Sequence, residues 1–469
     1  MGRNRSWGTG LVVGMALVGV VACEPEPLPP PGEGSVLVGC DRAGERVQVT
    51  VTSHLDPACD YTRGLDVTAS DVTLDCQGAA IRTTGTPGGS GILVSTPIDT
   101  PLHDVTIRNC HVEGGFTNSL RVTRVGFRTL PEGVEYENGT SDIVIERSTF
   151  RGSRGVGVFV DGYVEGVTIR DSQVHGAGSS GIYLETGSRR SRVEGNVIVD
   201  NGYRENGPGG QPFTFAGVDL WFWGIGREGI SVDGSYENTI VGNAFHGNSA
   251  GGIFLYKNCG EYPERPQYFE RRYPSEHNLI EGNEFFGGTN GVWIGSRMGE
   301  NTLPMSCTDE AYVDEPLRRM VLDRADDNTV RANRFHDVVY GIRVEDDGNT
   351  VEANVFTGAG PDRHAVVVGT PLRTTVLERP VTGTQLVDNV ADIAGNPDPY
   401  RWVTGHASTV DSGNLADGAP APLCEGVEPP RSPFVFVIAV APAGPGGGPP
   451  AETPDLTLPV LGPLPPCVR

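Results

Sequence analysis

Lysine is almost missing from this chain. One residue, Lys257, stands among 36 basic side chains, and the other 35 are arginine. Positive charge is scarce altogether. With 36 Lys and Arg against 59 Asp and Glu, the formal net charge is −23 at pH 7. That balance argues against nucleic acid as a partner and against electrostatic docking on anionic lipid. Only 20 % of residues are charged while 66 are glycine, which excludes a long coiled coil. The glycines show no period of three, which excludes collagen. Long apolar runs are absent where a membrane span would need them: Leu11 to Val21 is too short to cross a bilayer. What is present is 37 % hydrophobic residues, enough to bury a core. Codon drift toward arginine explains the cationic bias, and under that drift a surviving lysine is most easily explained at a position that arginine cannot fill. Arginine stays protonated, whereas a buried lysine can lose its proton and act as a base.

The N-terminus reads as an export address. Arg3 and Arg5 precede the apolar run, which ends Val20-Val21-Ala22-Cys23. This resembles the lipobox of bacterial lipoproteins, in which the cysteine is acylated and becomes the mature N-terminus. Residues 1–22 are therefore expected to be a signal peptide, and 23–35 a lipidated Cys23 with a Pro-rich, extended tether (EPEPLPPPGEG). The expected location is the bacterial cell envelope, at the outer membrane or cell surface. Eight cysteines remain, an even number suited to an oxidising compartment. Spacing alone does not fix their connectivity; the expected pairs are Cys40–Cys59, Cys76–Cys110, Cys259–Cys307 and Cys424–Cys467.

Two phrases recur along the chain. The first is a glycine followed by two aliphatic positions one residue apart: Gly157-Val158-Phe159-Val160-Asp161, Gly181-Ile182-Tyr183-Leu184-Glu185, Gly229-Ile230-Ser231-Val232-Asp233, Gly252-Ile253-Phe254-Leu255-Tyr256, Gly291-Val292-Trp293-Ile294-Gly295 and Gly341-Ile342-Arg343-Val344-Glu345. The second is N-x-[IV]-x-x-N-x-[FI], as in NTIVGNAF (238–245), NLIEGNEF (278–285), NTVRANRF (328–335) and NTVEANVF (349–356). Successive first phrases lie 24 or 23 residues apart in two cases; gaps of 48, 39 and 50 read as one coil plus an insertion. Short strands of period two, separated by Asn and Gly turns and repeated about every 23 residues, describe a parallel β-helix of three strands per coil. Asparagine tolerates left-handed turns, and stacked asparagines can ladder between coils.

Residues 36–415 thus resemble the right-handed parallel β-helix superfamily, which includes pectate-lyase-like and alginate-lyase-like enzymes and NosD-type periplasmic proteins. The resemblance implies an all-β solenoid with long loop insertions. It does not imply one activity, because the fold hosts lyases, hydrolases, epimerases and structural proteins. The Asp-Pro-His segment of mannuronan epimerases is missing, as is the Gly-His-Gly and Arg-Ile-Lys pair of polygalacturonases. Residues 416–469 form a Pro/Gly-rich tail in which Phe434 to Val440 is expected to cap the open end of the stack.

Alternation predicts that the third and fifth residues of each first phrase face solvent in columns about 4.8 Å apart. One column reads Phe159, Tyr183, Ser231, Phe254, Trp293, Arg343; the other Asp161, Glu185, Asp233, Tyr256, Gly295, Glu345. Lys257 and Arg297 lie beside them. Exposed aromatics suit sugar rings, so Tyr183, Phe254, Tyr256 and Trp293 are candidate substrate contacts. So are Trp221 and Trp223 of the Tyr203–Glu228 insertion. The leading expectation is β-elimination from a uronate polymer. Lys257 would be the base and Arg297 or Arg343 the carboxylate clamp, with Glu345 beside them; Asp161, Glu185 and Asp233 would be ligands for Ca²⁺. No organic cofactor is expected, and the chain is read as a monomer. Lysine bases, arginines and calcium all occur among the lyases that the fold resembles. The alternatives are a glycoside hydrolase with paired carboxylates (Asp161 with Glu185, or Glu345 with Asp346 or Asp347), and a non-catalytic glycan-binding or scaffold protein. His175, His246 and His336 recur at similar points of their coils and read as solvated turn residues.

Overall fold

The computed structural model describes residues 28–425, except 84–87, 208–209, 216–217, 261–262, 265–267, 304, 317 and 404–407, together with the strand Val437–Val440. The side chains of 211–223, 375–376 and 437–440 lie outside that description. The signal peptide, Cys23 and most of the tail also fall outside it, and the described residues lie almost wholly in the unit Pro31–Arg469.

Three 13-stranded sheets run the length of the stack. The first begins at Val36–Val38 and ends at Val410–Ser412. The second runs from Asp60–Tyr61 to Ala419–Pro420, and the third from Val47–Val49 to Cys424–Glu425. Neighbours pair in parallel throughout, save the last pair of the second sheet. The stacking therefore passes Leu415 by one more strand of the third sheet. The register identifies each glycine phrase with one coil. Val158 pairs with Ile182, Ile182 with Ile230, Ile230 with Ile253, Ile253 with Val292, and Val292 with Ile342. The longer gaps are insertions, as the spacing predicts. The tail strand Val437–Val440 does not cap the stack end: it pairs antiparallel with Val218–Trp223 of the first insertion.

The second phrase explains the packing. Its phenylalanines stack face to face: Phe245–Phe285, Phe285–Phe335 and Phe335–Phe356 each have centroids 4.7 Å apart. Its asparagines form a buried rail. Asn243 Nδ2 donates to Asn283 Oδ1 (3.0 Å), Asn283 to Asn333 (2.9 Å), Asn333 to Asn354 (3.0 Å), Asn354 to Asn389 (2.9 Å) and Asn389 to Asn414 (2.9 Å). The ladder is as expected, but its asparagines do not take the left-handed conformation. The residue before each does: Gly242, Gly282, Ala332, Ala353, Asp388 and Gly413 all have φ between 53° and 69°. The asparagine points its amide inward, and the turn is made one residue earlier. Alanine at such a φ costs about 1–2 kcal/mol, against about 0.5–1 kcal/mol for glycine's extra chain entropy. Ala353→Gly is therefore expected to raise the urea midpoint, by about 0.5 kcal/mol of stability. A lower midpoint would contradict this account of the turn.

Three of the four expected disulfides are present: Cys40–Cys59, Cys76–Cys110 and Cys259–Cys307, with Cα separations of 5.3, 4.8 and 4.6 Å. Cys424 is also disulfide-bonded, and its expected partner, Cys467, lies outside the described residues. Among the described residues no helix is long and apolar enough to cross a membrane.

Candidate functional site

The outer face of the third sheet has two halves. In the first coils the outward column reads Gln48, Asp66, Leu93, Arg121, Phe159, and these side chains are exposed or half-buried. From Tyr183 onward the same column is buried, through Ser231, Phe254, Trp293 and Arg343. Asp161, Glu185, Asp233, Tyr256, Lys257 and Glu345 are buried with it. The exposed aromatic row expected from alternation is thus corrected: the insertions fold over it. Arg271, in the connection after Lys257, reaches down to Asp233 and Glu185. Asp323, in the connection after Arg297, accepts the backbone N–H groups of both Lys257 and Arg297. Cys259–Cys307 joins the two connections.

The expected catalytic side chains are all committed. The Lys257 ammonium is only 4 % exposed and is held by an ion pair to Asp309 and a 2.9 Å hydrogen bond to Thr308 Oγ1. Asp309 is also paired with Arg324 at 3.1 Å. Lys257 therefore ties one insertion to the sheet. Arg297 pairs with Glu300 at 2.9 Å and lies 4.7 Å over the Tyr256 ring. Arg343 pairs with Glu345 at 2.6 Å and stacks 3.5 Å over Trp293. Asp346 and Asp347 share Arg373, at 2.8 and 2.7 Å. Burial pushes the Asp346 carboxyl up to about 7, against the pull of Arg373. Trp221 and Trp223 lie in a strand whose side chains are outside the described residues. His175, His246 and His336 do share one column, but Val199 and Phe286 separate them, and Phe286 stacks on His336.

The acidic column is where the covered and open halves meet, and it is laced with arginine. Arg121 grips Asp161 through Nε (2.8 Å) and Nη2 (3.0 Å) and lies over the Phe159 ring. Phe159 stacks on Tyr183 at 5.1 Å, and the Tyr183 hydroxyl donates to Asp233 Oδ2 at 2.6 Å. Asp233 also accepts from the Asn258 backbone (2.8 Å), Asn258 Nδ2 (2.7 Å) and Arg271 Nη1 (2.8 Å). Arg271 Nη2 donates to Glu185 Oε1 at 2.9 Å. A calcium ion held by Asp161, Glu185 and Asp233 would have to displace these arginines. The groups of side chains near enough to share a cation, among the described residues, lie elsewhere, at Asp71, His103 and Asp104 and at the disulfide pair Cys40 and Cys59 with Asp56.

Glu185 is the exception within this network. Its Oε2 is buried and has no hydrogen-bond partner among the described residues. Burial pushes its carboxyl up to about 7; Arg271 opposes the rise, and Asp161 and Asp233 add to it. Such a group exchanges a proton near neutrality. Beside it stands Arg128, 37 % exposed and 3.9 Å from Glu185 Oε1. Arg128 rests over the rings of Phe127 (5.4 Å) and Phe269 (5.1 Å) and makes no hydrogen bond among the described residues. Those rings pack edge-on with Tyr163, so the walls of the site are aromatic. Arg121, Arg128 and Arg271 were not legible as site residues. Arg121 is the third residue of a coil that lacks the leading glycine, so a search running the outward column back from Phe159 would have found it. Arg128 and Arg271 sit in insertions without periodicity, which carry no positional signal.

Residues 74–303 match the family model described as a right-handed β-helix region, and the chain is a right-handed parallel β-helix. No curated protein matches it in sequence. Among solved structures it is similar to the A-module of a mannuronan C-5 epimerase from Azotobacter vinelandii, at 15 % identity and TM-score 0.45, covering 79 % of this chain and 91 % of that one. An alginate lyase from a Paenibacillus species is 11 % identical, with TM-score 0.34 and coverage of 83 % and 98 %. The catalytic domain of an alpha-1,3-glucanase in complex with nigerose is 10 % identical, with TM-score 0.39 and coverage of 81 % and 63 %.

Proposed function

We propose that this protein is an exported, carbohydrate-active β-helix that cleaves a uronate-containing polysaccharide by β-elimination at Glu185. The observation that carries the reading is the buried Glu185 Oε2, without a hydrogen-bond partner among the described residues, beside the 37 % exposed guanidinium of Arg128. Elimination needs a cation on the sugar carboxylate and a group that takes the C5 proton. Arg128 supplies the first as a planar fork. Glu185, whose carboxyl burial pushes up to about 7, supplies the second. As the C5–H bond breaks, the C4–C5 double bond forms and the C4–O4 bond opens. The proton on Glu185 then passes to the departing oxygen, which restores the carboxylate. Phe159 and the Phe127–Phe269 pair offer ring faces for the sugar C–H surface. The disulfides support an oxidising compartment. Anchoring through Cys23 is part of the proposal and is checked by lipid labelling of the wild type against Cys23→Ala.

The test is absorbance near 230–235 nm during incubation with a panel of uronate polymers. A rise that Arg128→Met abolishes supports the reading; no rise on any polymer overturns it. Lys257→Arg is expected to keep its activity, because its partners Asp309 and Thr308 can hold a guanidinium. A folded but dead Lys257→Arg would return the base to Lys257. Chelator is expected to leave the rate unchanged, since arginines already neutralise the acidic column; loss of rate with EDTA would favour calcium there. New reducing ends without unsaturated sugar would favour hydrolysis by Asp161 with Glu185.

A further inference from the structure

We infer that the apolar cavity at the last coil is closed by this chain's own residues 456–466, held there by a Cys424–Cys467 disulfide. The three sheets end in the strands Val410–Ser412, Ala419–Pro420 and Cys424–Glu425. Among the described residues, nothing pairs with the outer edge of any of them. Open strand edges are a liability, and the end of a solenoid core has to be covered. At this end lies a cavity of about 660 Å³, whose walls include Pro397, Pro399, Trp402, Ala421 and Leu423. Trp402, Ala421 and Leu423 are partly buried and pack on the end of the main core. Cys424 stands in the same wall.

The cysteines and the reach of the chain name the occupant. Of nine cysteines, six form the three bridges already described, and Cys424 is disulfide-bonded as well. Cys23 and Cys467 are left. The first and last strands of the third sheet lie twelve strand spacings apart, about 58 Å. Val36, in the first coil, is thirteen residues from Cys23, and that length of chain spans at most about 47 Å. Cys23 therefore falls short of Cys424. Cys467 does not: it follows the tail strand Val437–Val440 by 27 residues, which span up to about 90 Å. A disulfide sets its two Cα atoms about 4–7 Å apart. Polyproline rises about 3.1 Å per residue, so Leu464, three residues before Cys467, comes within about 9 Å of it. The segment that the bridge delivers is LTLPVLGPLPP (456–466), with five aliphatic side chains, four prolines and no charge. Proline brings no N–H that the cavity would have to satisfy, and a groove lined by an aromatic ring suits a polyproline ligand. None of this depends on the reading of Glu185.

The experiment uses the full chain with Leu464 replaced by photoreactive benzoylphenylalanine, irradiated as a mixture of light and isotope-labelled protein. The expected result is a crosslink within one chain to residues 397–402 or 419–425. Peptide mapping of the wild type should recover the Cys424–Cys467 bond. In Leu464→Asp, hydrogen exchange over 400–403 and 419–425 should accelerate at least about tenfold, with exchange near Val158 unchanged. No crosslink, or one that falls elsewhere in the chain, overturns the inference. A crosslink between light and labelled protein also overturns it and makes a second copy the occupant. Unchanged exchange in a folded Leu464→Asp overturns it too, as does mapping that pairs Cys424 with any other cysteine. If Leu464→Asp does not fold, the crosslink decides.

Discussion

Glu185→Gln is expected to give a folded protein whose turnover falls by at least about 100-fold, the usual loss when a proton-transfer group is removed. Its stability should change in the opposite direction. In the unfolded chain this carboxyl loses its proton near 4.5; in the folded protein it keeps it up to about 7. The folded state therefore binds more protons between those values, and stability declines as pH rises through that window. Above pH 7 the ionisation of buried Glu185 therefore lowers stability. Glutamine resembles the protonated form at every pH. The variant should match the wild type near pH 4.5 and exceed it at pH 8. Denaturant titrations at the two pH values read the stability, and the 230–235 nm assay reads the turnover. A variant that is less stable at pH 8 would show that Glu185 serves the fold as an ion-pair partner of Arg271.

Asn333→Ala should produce the largest loss of stability. The Asn333 side chain takes part in four buried hydrogen bonds. Its oxygen accepts from the Asn283 backbone and side-chain amide, both at 2.9 Å. Its nitrogen donates to Ile280 O and Asn354 Oδ1, both at 3.0 Å. Alanine removes all four bonds and strands the buried Asn283 backbone N–H, while Asn354 Oδ1 keeps the backbone N–H of residue 333 and Asn283 Nδ2 keeps Ile240 O; each group left unsatisfied costs about 1–3 kcal/mol. A total near 4 kcal/mol allows for partial relaxation and the sharing of donors. Coils stacked in a line contact only their neighbours, so the damage should be local. Hydrogen exchange should accelerate over residues 278–356 and little near Val47. A loss under about 1 kcal/mol would mean that the rail is decorative.

The fold was legible because its signal is repeated. Each coil shows the same inward aliphatics, and the later ones the same Asn and Phe, so Val158, Ile182, Ile230 and Ile253 could be placed in register from sequence. Three disulfides fell on the expected pairs, although spacing alone did not fix them. The site was legible only where it shares the repeat. Asp161, Glu185 and Asp233 were found together, since they occupy one column. Their environment was not. Alternation reports which way a side chain leaves the sheet, but not what lies above it, and Arg271 arrives from an insertion 86 residues after Glu185. For the same reason the solitary Lys257 was read as a base: its composition made it conspicuous, while Asp309, its partner, sits in a loop without a pattern.

The asparagine rail has one more consequence. It runs from Asn243 to Asn414 through neighbours 40, 50, 21, 35 and 25 residues apart in sequence. The contact between coils is nearly the same in each case, although the chain between them more than doubles in length. Loop length is thus uncoupled from coil register, and the entropy of closing a longer loop grows only slowly. Selection can lengthen, shorten or exchange an insertion without moving the rail beneath it. In such a scaffold specificity evolves in the loops, while the platform that carries them is inherited unchanged.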